Sequence, residues 1–229
     1  MNKQKIELYK FLRIIDKFGI GDLTANHASV LSSDGEGYFI NKHKYLFSQI
    51  NPNNLNYVNL KDSYSHKYKE INKAGFHIHK YLHLSKSKPK AILHTHTINS
   101  VAISCLKNGF NEKLNQSSMR FFKKIKYFKF NGMVIDENEG LKLKKLVNKE
   151  TSLIILKNHG VIIIAKTIDE LFHLTFHFEK CANIQLKIGN RSDLSKVNNI
   201  IASQTSKQHS GFGKVGEMSW RAVKKKYKL

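Results

Sequence analysis

The sequence predicts a single α/β domain, and three observations carry that expectation. Short β-branched apolar runs at 91–94, 153–156 and 161–165 alternate with longer stretches whose apolar residues recur near every 3.6 positions. Pro occurs only twice and Gly is scattered, so no composition shift marks a linker within the 229 residues. A 41% hydrophobic content is enough to bury one sizeable core in a chain of this length.

Taken in order, Ile6, Leu8, Phe11, Ile14, Ile15 and Phe18 place an amphipathic helix at 5–18 that ends near Gly19 or Gly21. Residues 27–31 and 37–40 flank the turn-rich Ser-Ser-Asp-Gly-Glu and read as a hairpin. A short strand at 57–60 precedes a helix at 74–84, along which His77, His79 and His83 read as a solvated or interface face. Pro89 interrupts the chain before a buried strand at 91–94, and a helix at 100–106 lies behind it. After the basic aromatic stretch 120–129 come a charged helix at 138–148, strands at 153–156 and 161–165 around Asn158-His159-Gly160, and a long helix at 168–188. Residues 198–216 read as polar and irregular, and the Lys-rich end at 224–228 as mobile. A domain at 1–215 with a basic C-terminal tail at 216–229 is therefore expected.

The net charge of +22 suggests a nucleic-acid partner, and Arg120 to Lys129 interleaves aromatic and cationic side chains. Residue usage argues otherwise. The chain has 35 Lys against 4 Arg, and specific readers of phosphate and bases depend on the arginine fork. No specific nucleic-acid partner is expected, and nonspecific association would fade with salt. The run Gly160 to Ala165 is far too short to span a bilayer, and the start of the chain is polar, so a soluble cytoplasmic protein with no membrane partner is expected. Cys105 and Cys181 both fall in amphipathic helical segments and read as reduced, packed thiols.

The chemistry concentrates in Ala91-Ile-Leu-His-Thr-His-Thr97. His94 and His96 sit two residues apart at the exit of a strand, so both can point to one side and reach one ion. Alone, such a pair would read as hydrogen-bonded core or rim histidines. A third imidazole, His159, ends another apolar run beside a turn, and three neutral His nitrogens with an open position describe a catalytic metal site.

The order of these segments resembles the class II aldolase/adducin family, in its bacterial adducin-like branch. The matching stretches are Asp22-Leu-Thr-Ala-Asn-His-Ala-Ser29, Ile71-Asn-Lys-Ala-Gly-Phe-His-Ile-His79, Ala91 to Thr97, Leu156-Lys-Asn-His-Gly160, Phe178 to Gln185 and Gly213 to Trp220. The resemblance implies a three-layer αβα fold around a largely antiparallel sheet, a homotetramer, and a divalent metal, zinc first among them, on His94, His96 and His159. It further implies a metal-dependent lyase of carbohydrate metabolism that cleaves a small hydroxycarbonyl substrate through a metal-stabilised enediolate, with a Glu as acid/base.

This chain departs from that pattern where acid/base and phosphate chemistry reside. Lys73 stands where the sugar-phosphate aldolases carry their Glu, and Ile40-Asn-Lys-His43 and Ile71-Asn72 replace the small hydroxyls and Gly that cradle phosphate. Leu31 replaces the family's Arg. An unphosphorylated substrate is favoured. Lys73 and His27 are the candidate bases, with Tyr227 a further one, and Asn26, His27 and Asn72 are candidate substrate-binding residues. Glu179 reads equally as a structural partner for a Lys. Two other functions stay open: a non-catalytic adducin-head-like binding protein, and a decarboxylase, dehydratase or epimerase that uses the same metal-enolate chemistry.

Overall fold

In a computed structural model, which describes residues 2–211 and 214–229, a seven-stranded sheet has the order β3-β2-β1-β4-β7-β6-β5. Its strands are β1 (His27–Leu31), β2 (Gly37–Asn41), β3 (Leu55–Asn59), β4 (Ala91–Thr95), β5 (Ile125–Phe128), β6 (Leu153–Leu156) and β7 (Gly160–Ala165). Every pairing is antiparallel except β5 with β6, which are parallel. Parallel neighbours need a crossover, and helix α4 (Glu137–Leu146) supplies it.

Helices cover both faces in an αβα sandwich. On one face, α1 (Lys3–Lys17) and α5 (Ile168–Ile188) pack Phe11, Leu12, Ile15, Leu171 and Phe178 against Val30, Leu93, Ile155 and Ile163. On the other, α2 (Lys73–His83) and α4 bury Ile78, Leu82 and Leu143 against Ile92, Ile154, Ile162 and Ile164. Alternate residues of β4, β6 and β7 therefore feed opposite cores, which is why these runs are continuously apolar. The two helices of the second layer lie close: a Cβ on Gly140 of α4 would clash with the Tyr81 ring.

Three expectations are corrected. His77, His79 and His83 do not line a solvated face; they are 7%, 0% and 5% exposed. The stretch 198–216 is not irregular: α6 (Asn199–Gly211) and α7 (Lys214–Lys226) occupy most of it, and Gly213 lies outside the described residues. The basic end at 216–229 forms most of α7 and packs on the core. Trp220 of α7 is 3% exposed against Phe11 and Phe172, its indole N–H donates to Glu7 Oε2 at 2.7 Å, and Lys224 pairs with the same carboxylate. Burial of one large aromatic stripe holds a helix that is otherwise strongly basic.

Candidate metal centre

Three segments deliver the histidines. Ile92 and His94 share the α2 face of β4, and His96 follows immediately as the chain turns into α3 (Ile98–Cys105). Thr97 caps α3 by accepting the Ser100 N–H, which starts the helix and fixes where the His96 backbone leaves the sheet. His159 rides the tight connection between β6 and β7, where Asn158 takes φ 56°, a left-handed conformation that Asn tolerates. Gly160 follows because β4 passes close by: a Cβ there would stand 2.6 Å from the Thr95 carbonyl oxygen. From α3, the Ser104 hydroxyl accepts the His159 N–H at 3.1 Å.

These elements bring the Nε2 atoms of His94 and His96 to 2.8 Å, and those of His96 and His159 to 2.9 Å. Their partners fix the tautomers. The Val161 carbonyl can only accept, so His94 Nδ1 carries the proton at 2.9 Å; Asp22 Oδ2 receives His96 Nδ1–H at 3.2 Å. Neutral His94 and His96 therefore aim bare Nε2 lone pairs at each other, which is repulsive without a cation. Burial lowers the pKa of all three, His94 well below the usual range and His159 to about 4, so they stay neutral near pH 7, the form that can hold a metal. On His96 the Asp22 carboxylate opposes that shift. The donor set suits a zinc-like ion with an open position.

Around the triad, Asn26 is 2% exposed and its Oδ1 accepts the His96 N–H at 3.1 Å. Its Nδ2 is buried without a partner. His27 pairs with His94 across β1 and β4, with ring centroids 4.9 Å apart. Asn72 caps α2 through the Gly75 N–H. Lys73 is exposed with its ammonium 5.9 Å from the Tyr64 ring centre, and no contact among the described residues joins it to the triad. Tyr227 packs against Phe18 on the α1 face. Glu179 has no Lys partner in its hydrogen bonds: it accepts from Thr97 Oγ1 at 2.6 Å and Asn99 Nδ2 at 3.1 Å, and burial raises its pKa against those bonds. Sequence reading missed Asp22, Ser29, His79 and His83. The spacing of His79 and His83, four apart beside Ile78 and Leu82, is a signal that could have placed them inside.

Comparison with known proteins bears on this geometry. The family described as "Class II Aldolase and Adducin N-terminal domain" matches residues 6–186. Alpha-adducin of Rattus norvegicus is 25% identical over 187 residues, which cover 80% of this chain and 25% of the adducin. The chain thus spans about a quarter of the length of that relative. Among solved structures, an aldolase II superfamily protein from Pseudomonas syringae superposes with a TM-score of 0.86 at 24% identity, covering 98% of this chain and 91% of that one. L-fuculose 1-phosphate aldolase from Glaciozyma antarctica PI12 gives 0.77 at 20% identity, covering 96% and 88%.

Proposed function

The chain belongs to the class II aldolase and adducin family, and from that premise we propose that it is a divalent-metal-dependent lyase acting on a small hydroxycarbonyl compound, with aldol cleavage the leading reaction. The convergence of His94, His96 and His159 carries this reading. A divalent ion held there, zinc first, supplies Lewis-acid polarisation of a carbonyl oxygen. The remaining work falls to the chain. Asn26, the candidate substrate contact, holds the His96 backbone, and its buried Nδ2 has no protein partner. His27, beside His94, is the proton acceptor, ahead of the exposed Lys73. Asn72 caps α2 through Gly75, whose backbone lies against the His27 ring.

Selection against phosphate fits the region around the missing cradle: Lys42 and Lys44 are both engaged by Glu70. A homotetramer with the metal site near a subunit boundary fits the exposed Leu23 and Ile98, which flank Asp22 and Thr97 at 79% and 88% exposure. A cytoplasmic location fits the absence of any membrane-spanning helix among the described residues. The adducin similarity and the loss of the acidic residue at position 73 favour a second reading, a non-catalytic binding protein. Decarboxylation, dehydration or epimerisation would use the same site.

Metal analysis of the purified chain, paired with turnover assays on unphosphorylated hydroxycarbonyl compounds, tests the proposal. One divalent ion per chain, lost in His94→Ala and His159→Ala together with turnover, is the expected result. A chain that binds no divalent ion sinks the lyase reading; one that binds the ion without turnover favours the binding protein.

A further inference from the structure

Behind the metal triad, four buried polar side chains form an unbroken line through the layer between β1 and α2. His27 Nδ1 lies 2.8 Å from His79 Nε2, and His79 Nδ1 is 2.5 Å from Ser29 Oγ. Ser29 Oγ is also 2.8 Å from His83 Nε2, and His83 Nδ1 is 2.8 Å from the carbonyl oxygen of Pro89. None of the four side chains is more than 5% exposed. All four follow from strand and helix periodicity: His27 and Ser29 share a strand face, and His79 and His83 are one helical turn apart.

The direction of every hydrogen bond follows from the last acceptor. A carbonyl oxygen cannot donate, so His83 Nδ1 carries the proton, and a neutral His83 presents a bare Nε2. That nitrogen must receive the Ser29 hydroxyl hydrogen, leaving the serine oxygen to accept from His79 Nδ1–H. His79 Nε2 is then bare and must accept from His27 Nδ1–H. The final atom, His27 Nε2, is left as an unprotonated lone pair. Neutrality along the chain is enforced by burial, which pushes His83 down to about 4 and His79 well below the usual range. The ring of Tyr38 covers His79 and His83, while its hydroxyl is spent on the Phe76 carbonyl, so it does not interrupt the line.

The outer edge of His27 is also given its space. A Cβ on Gly75 would stand 3.0 Å from His27 Cδ2 and 3.2 Å from Nε2, closer than most packed contacts. No hydrogen bond among the described residues uses this Nε2, and the ring faces His94.

We propose that Pro89, His83, Ser29 and His79 form a chain of positioning groups that locks His27 in its Nδ1–H tautomer, presenting a bare Nε2 beside the metal ligands to a substrate that offers a hydroxyl donor. The tautomer lock stands on geometry; only the role of the substrate rests on the lyase reading above. Oxygen groups that can only accept, such as sulfate or a carboxylate, gain nothing at this position. A hydroxyl on the carbon next to a carbonyl does.

The test is long-range 1H–15N correlation spectroscopy of the full chain carrying 15N-histidine, with zinc and without. The wild type should show Nδ1 protonated and Nε2 bare on His27, His79 and His83. In Ser29→Ala, His83 keeps this pattern because Pro89 remains, whereas His27 and His79 exchange between tautomers; Ser29→Thr restores the single form. Dihydroxyacetone, which carries a hydroxyl on the carbon next to its carbonyl, should shift the His27 Nε2 resonance of zinc-loaded protein, and sulfate should not. An Nε2–H on His27 in the wild type overturns the lock, and that measurement needs no variant to fold. An equal shift with sulfate overturns the selectivity. Neither readout requires turnover, so an active lyase with the opposite tautomer, or an inactive chain with the predicted one, separates this inference from the lyase reading.

Discussion

Asn26 Oδ1 receives the backbone N–H of His96 at 3.1 Å, joining the loop before β1 to the metal segment seventy residues later. Because the acceptor is 2% exposed, no water replaces it readily. Asn26→Ala leaves that N–H unpaired at a cost of about 1–3 kcal/mol and loosens His96. The expected outcome is a roughly 10–100-fold loss of zinc affinity in a chelator competition titration, the range seen when groups supporting metal ligands are removed.

Metal binding should stabilise the fold, since the triad assembles from separate segments. At free zinc one hundred times the dissociation constant, thermal or denaturant unfolding should report about 2.7 kcal/mol of added stability. EDTA should remove it. In His94→Ala, zinc should produce no stabilisation beyond that of a nonspecific salt control.

Gly160→Ala probes the close approach behind His159. Gly160 sits at φ 158°, and the added methyl would meet the Thr95 carbonyl at 2.6 Å, so β4 and β7 must separate locally. A stability loss on the order of 1–3 kcal/mol is expected, with weaker zinc binding because His159 moves with the turn. Equilibrium urea unfolding and zinc titration measure the two effects independently.

Trp220→Ala should cost about 3–5 kcal/mol, the usual range for deleting a buried large aromatic side chain. The residue fills the junction of α1, α5 and α7 at 3% exposure. A loss below about 0.5 kcal/mol in urea unfolding, typical of a surface change, would show that α7 is dispensable.

Stability should fall in acid through the interior histidines. His83 has a folded-state pKa near 4, below the unfolded value of about 6.5, so between these limits the unfolded chain holds more protons and stability rises with pH. The contribution is complete above about pH 6.5 and is lost as pH falls towards 4, at about 1.4 kcal/mol per pH unit for each such histidine. His83→Phe should flatten the urea midpoint over that window relative to wild type.

The centre of the fold and the convergence of the three histidines were legible because β4, β6 and β7 are buried on both faces, with His94 and His96 at the exit of β4 and His159 in the turn between β6 and β7. Other parts were hidden by local chemistry. In β5, Lys126 interrupts the apolar residues on an edge strand, and its parallel partner lies across a helix. His79 and His83 are polar by type, and only their hydrogen-bond partners on β1 and at Pro89 make burial affordable. The lysines of α7 masked the spacing of Trp220, Val223 and Tyr227, all of which pack on the main core.

The antiparallel register that sets His94 opposite Ile162, with Val161 opposite Thr95, also governs when the ion can bind during folding. His94 and His96 are local to each other, but His159 joins them only after the β4–β7 pair has closed a loop of more than sixty residues. Tight coordination is therefore unavailable to a nucleus made of β4 and α3 alone. Zinc should slow unfolding much more than it accelerates refolding, acting as a latch on the finished sheet rather than as a template for it.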